Sequence, residues 1–118
     1  MTPDVGHTRH QALVELYREF TPQEADRLAY ELNFAEARDN LNARLVDNHR
    51  TERAAALVAE TIAAYRQYAR LPGADVLRTG RDLAALATRM ANANRPTEAA
   101  AAQQAADELR AGNPALRP

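Results

Sequence analysis

The chain has no cysteine. Neither a disulfide framework nor thiolate chemistry is open to it. Only 4 Gly and 6 Pro occur in 118 residues, too few for many short strands joined by tight turns. Neither sign of charge is in excess: 15 basic residues face 16 acidic ones, a net charge of −1. Nucleic-acid binders usually show a basic face that neutralises phosphates, so nucleic acid is not an expected partner. No apolar run approaches the ~18 residues of a membrane span. Met1-Thr2-Pro3-Asp4 is polar and acidic. With no apolar h-region there, a signal peptide is not expected, and the expected location is cytoplasmic.

What the chain does have is alanine. The composition is 46% hydrophobic with only 5% aromatic. Alanine has the best helix propensity and adds little bulk, so alanine-faced helices can pack closely as antiparallel hairpins. The expectation is one all-α domain over 1–118. Folding would bury roughly two-thirds of the unfolded chain's surface.

One pattern occurs twice, 45 residues apart. Leu41-Asn42-Ala43-Arg44-Leu45, a turn at Asp47-Asn48-His49-Arg50 and Ala54-Ala55-Ala56-Leu57-Val58 form the first copy. Leu86-Ala87-Thr88-Arg89-Met90, a turn at Asn92-Ala93-Asn94-Arg95 and Ala99 to Ala102 form the second. A fixed period of that size is the signature of stacked helical hairpins.

Periodicity predicts about six helices in three antiparallel hairpins: 8–33, 35–70 and 76–111. Helix one covers about 9–20, with Leu13, Leu16, Tyr17 and Phe20 on one face. Thr21-Pro22-Gln23-Glu24 is a capping box with Pro at the first helical position, and opens helix two. A break is expected near Asn33-Phe34. Helix three, about 35–48, would turn Ala37, Leu41 and Leu45 inward. Thr51 is expected to cap helix four, about 52–69, whose inward face is Ala54, Leu57, Val58, Ile62 and Tyr65. Leu71-Pro72-Gly73-Ala74 is the strongest breaker. Helix five, capped by Asp75 or Thr79, buries Leu83, Leu86, Ala87 and Met90. Pro96 ends the turn and opens helix six, about 96–110. Leu41, Leu45, Leu86 and Met90 are expected in the core.

Leu-x-x-Arg-Leu, a short polar turn ending in Arg, and a second helix ending Tyr-Arg resemble the tetratricopeptide repeat. The likeness is to the long-period type common in high-GC bacteria. It is strongest over 81–118 and next over 37–69. The resemblance implies a right-handed stack with small residues at Asn42, Ala87, Ala54, Thr61, Ala99 and Ala106. It implies a partner-binding surface of Glu36, Asp39, Ala43, Val46 and Asp47 in one copy. In the other it implies Arg81, Ala84, Thr88, Ala91 and Asn92. The chain departs from the family in its period, in Asn42 and in Gln103. Leu16 to Glu24, followed by Leu28-Ala29-Tyr30-Glu31-Leu32, also faintly resembles the death-like effector-associated adaptor domains of bacteria.

No residue set announces chemistry. A metal site at His7 and His10 would need Asp4 or Glu15 as well, and structural zinc usually takes four ligands with Cys prominent; solvated histidines are the expectation. Glu15, Glu19, Glu24, Glu31, Glu36 and Asp39 offer carboxylate pairs, but most sit beside Arg18, Arg27 or Arg38 as surface pairs do. Tyr65 and Tyr68 are expected to fill and seal a hairpin rather than clasp a ligand. Arg44 and Arg89 share a phase and meet either an acidic partner or acids one turn away. The expected function is a non-catalytic scaffold or adaptor binding a protein or peptide, without catalytic residue, metal or cofactor. A self-associating death-like adaptor, a nucleic-acid-associated regulator and a small enzyme are the alternatives. Helix six carries a broad alanine surface, Ala99 to Ala102 with Ala105 and Ala106, which suggests a homodimer through the C-terminal hairpin.

Overall fold

A computed structural model describes residues 21–112. The helix expected over 9–20 lies outside the described residues. Within them the protein is helical, with no strand: α1 Pro22–Asp47, α2 Thr51–Ala56, α3 Val58–Ala69, α4 Val76–Asn92 and α5 Pro96–Gly112. Because α2 and α3 abut at Leu57, the described chain is four rods joined by short turns. No described helix is long and apolar enough to cross a membrane.

Local chemistry sets most of the ends. The Thr21 side chain accepts from the Glu24 N–H at 3.1 Å, with Pro22 opening α1. Asp75, not Thr79, caps α4, accepting from the Arg78 N–H at 3.1 Å. The Leu71-Pro72-Gly73-Ala74 turn closes with the Ala74 N–H on the Leu71 carbonyl at 3.1 Å. Gly73 takes φ 87° there, the positive φ that a type II turn demands at its third position.

The expected break at Asn33-Phe34 is absent: 22–47 is one helix. Asn is a mediocre helix former but not a breaker. Phe34 stacks on Tyr30 with centroids 6.2 Å apart, and the Arg38 guanidinium lies 3.4 Å from the Phe34 centroid. These two i,i+4 contacts staple the helix across the suspected break. The expected 8–33 and 35–70 pairs therefore share one continuous rod.

Two turns close alike, 45 residues apart. The Arg50 N–H reaches the Leu45 carbonyl at 2.7 Å and the His49 N–H the Val46 carbonyl at 3.0 Å. In the second turn Arg95 reaches Met90 at 2.8 Å and Asn94 reaches Ala91 at 3.1 Å. His49 and Asn94 take φ 60° and 62°. These are paired Schellman closures, with the left-handed residue just past the helix end. The first closure places Arg50 at the N-cap of α2 with no side-chain cap bond. Thr51 is thus the first helical residue, not the expected cap.

α1 packs on α2 and α3, α4 packs on α5, and α3 contacts both α4 and α5, joining the two hairpins. The core is Val58, Ile62 and Tyr65 from α3, Leu83, Leu86 and Met90 from α4, and Ala102, Ala105 and Ala106 from α5. Burying each large aliphatic side chain stabilises by about 1.5–3 kcal/mol. Of the broad alanine surface, Ala102, Ala105 and Ala106 face the core. Ala102 is buried within its own hairpin, while Ala100 and Ala101 stay exposed.

Candidate functional site

Asn42 stands where the second hairpin has Ala87, and both are buried. The two residues do different things. The Asn42 Nδ2 donates to the Ala54 carbonyl at 2.8 Å and lies 4.0 Å from the Met90 sulfur. The Ala54 carbonyl also accepts from the Leu57 N–H at 3.1 Å, a tightened turn. A side chain inserted into the helical ladder is a recognised cause of a bend, and α2 gives way to α3 here. The equivalent stretch of α5, opposite Ala87, runs unbroken.

From Asn42 a polar cluster extends between α1, α3 and α4. The Arg89 Nη1 donates to Asn42 Oδ1 and to Asp39 Oδ1, both at 2.8 Å. The Tyr65 hydroxyl donates to Asp39 Oδ2 at 2.7 Å. Burial, and then the Asp39 carboxylate, push the Tyr65 phenol far above its ordinary pKa, so it stays a donor. Arg78 pairs with Glu36 across the helices and with Asp82 on its own helix. Burial raises the Asp82 pKa; Arg78 opposes this, and Asp39, Glu36 and Asp75 add to it. A cleft of about 300 Å³ opens here, lined by Glu36, Asp39, Asn40, Tyr65, Arg78 and Asp82. The Asp39 carboxylate takes one bond from Arg89 and one from Tyr65, so the arrangement serves as a clamp fixing α1 against α3 and α4. Arg89 finds its acid on the neighbouring hairpin, whereas its counterpart Arg44 is exposed.

The other residues of the expected partner surface scatter. Asp39 belongs to the clamp. Ala43 is half-buried, Val46 packs partly against the core, and Asp47, Arg81, Thr88, Ala91 and Asn92 are exposed. Arg81 and Ala84 do meet, in a recess of about 160 Å³ shared with Leu77, Gly80, Ala106 and Arg110. The Thr88 hydroxyl bonds the Ala84 carbonyl of its own helix at 3.2 Å. Tyr65 and Tyr68 fill and seal the hairpin: both are buried, and the Tyr68 hydroxyl accepts the Asp75 N–H at 2.7 Å. His7 and His10 lie outside the described residues. Among the described residues no group of three or more His, Asp or Glu is placed to hold a metal ion.

The surface that sequence reasoning missed is apolar. Leu41 was expected in the core and is 47% exposed, and Ala37 is exposed too. The buried face of α1 runs through Ala35 and Asn42 instead. Leu41, Leu45, Arg53, Ala56 and Leu57 line an open groove of about 230 Å³ between α1 and α2. The signal for it lay in the period: Leu86 is covered by the hairpin before it, and no described hairpin precedes Leu41. Compared with protein-family models, with curated proteins and with solved structures, the chain finds no match.

Proposed function

We propose that the chain is a non-catalytic helical scaffold whose hairpins stack in the tetratricopeptide manner and bind a protein or peptide partner. The observation that carries this reading is the open groove of Leu41, Leu45, Ala56 and Leu57. An apolar recess with a charged residue, Arg53, at its edge is what the apolar face of a docking helix requires. The paired Schellman turns 45 residues apart support the stacking. The charged cleft supports it in a different way, since its ion pairs tie the two hairpins into one platform. A photo-reactive amino acid at Leu41, in the native host, should give adducts with protein. The same group at Ala100, exposed on α5, should not. Equal adducts from both positions, or none from Leu41, would sink the reading.

A further inference from the structure

The two ends of the stack differ in chemistry. In the middle, α3 presents Val58, Ile62 and Tyr65 to the core that holds Leu86 and Met90. One period later, on α5, those three positions are Gln103, Asp107 and Arg110, and all three are exposed. That face of α5 is polar. One period earlier than Leu86 and Met90 stand Leu41 and Leu45, at the open groove. A second copy cannot cover this groove by stacking head to tail, because its polar end would meet apolar side chains.

The residues that would match the groove are in the sequence. One period before Val58, Ile62 and Tyr65 stand Leu13, Tyr17 and Phe20, with Glu15 answering to Glu60. They cannot reach their own groove in the register that α3 uses. Tyr65 lines a cleft with Arg78 and Asp82 of α4, so Phe20 would have to stand level with Asn33 to Ala37. Those residues lie about 16–22 Å along α1 from Pro22 at 1.5 Å per residue. Phe20 is two residues from Pro22 and so within about 7 Å of it. The cause is the length of α1. α4 begins at Val76, whose counterpart is Glu31, yet α1 begins at Pro22. The nine residues of α1 ahead of Glu31 thus have no counterpart in α4.

We propose that the groove of Leu41, Leu45, Ala56 and Leu57 is filled by the 9–20 segment of a second copy, each copy supplying the other. Exchange of an equivalent element between protomers is a low-cost route to a dimer. The proposal rests on reading the groove as a protein-docking surface and names its occupant. Sedimentation equilibrium of the full chain at micromolar concentration tests it, with Leu41→Glu and Tyr17→Glu as variants. Wild type should sediment as a dimer, and each variant as a monomer with unchanged helical circular dichroism. An equimolar mixture of the two variants should regain a dimer, because one intact groove still meets one intact segment. A monomeric wild type, a dimeric Leu41→Glu, or a mixture that stays monomeric overturns the proposal. If a monomeric wild type is joined by a Leu41 adduct to a different protein, the exchange fails while the scaffold reading stands.

Discussion

Replacing Asn42 with Ala removes the centre of the bend and of the clamp in one step. The carboxamide makes a neutral hydrogen bond to the Ala54 carbonyl and accepts one from the charged Arg89, both at 2.8 Å. Neutral bonds contribute about 1 kcal/mol net, and bonds to charged groups about 1.5–3 kcal/mol. Neither partner is orphaned by the change: Ala54 keeps the Leu57 N–H, and Arg89 keeps Asp39. The cost should therefore fall near the lower end of the sum, about 2–3 kcal/mol. Total stabilities of such domains are about 5–15 kcal/mol, so the urea midpoint should drop visibly at unchanged slope. Asn42→Asp separates the two halves of the argument. It keeps an acceptor for Arg89 but turns a second oxygen toward the Ala54 carbonyl, so it should be no more stable than Asn42→Ala. Urea melts followed by circular dichroism at 222 nm provide the measurement. A loss below about 0.5 kcal/mol for Asn42→Ala, the size of an ordinary surface change, would refute the reasoning.

Three further outcomes follow from the same structure. In the monomeric Tyr17→Glu background, where the groove stays empty, Leu86→Ala should cost about 2–5 kcal/mol as a buried truncation, and Leu41→Ala under about 1 kcal/mol from the smaller apolar area it loses; equal losses in urea melts would contradict the open groove. Asp75→Ala should cost about 1 kcal/mol as a lost N-cap, while Thr51→Ala should stay within about 0.5 kcal/mol; the reverse order would restore Thr51 as the cap. Asp82 has a folded pKa above its unfolded one, so its favourable contribution is present below the unfolded value and is lost as pH rises through the folded one. Asp82→Asn should thus be neutral or stabilising at pH 7, with any advantage fading below the unfolded Asp value of about 3.9; an advantage that grows as pH falls would reverse the sign.

The sequence by itself determined what a few neighbouring residues can decide. Thr21-Pro22 and Glu24 start a helix because their groups lie within one turn of each other. Pro96 opens α5 and Pro72-Gly73 turns the chain, each through local backbone preference, whereas the choice of Asp75 over Thr79 as the cap of α4 came from the structure. The 45-residue offset was legible for the same reason, since both turns close on bonds no longer than five residues in sequence. Only the tertiary structure decided which like positions are alike in environment. Leu41 and Leu86 occupy one phase of the pattern, yet Leu86 is 0% exposed and Leu41 is open, because burial depends on what packs from outside the helix. Asn42 looked like a misfit at a small-residue position. Its role needed Ala54, Met90 and Arg89 brought from 12, 48 and 47 residues away. Asn33 looked like a stop and was carried through by Tyr30, Phe34 and Arg38 on one side of α1. Propensity at one residue is worth tenths of a kcal/mol, and side-chain contacts across a turn or between hairpins override it.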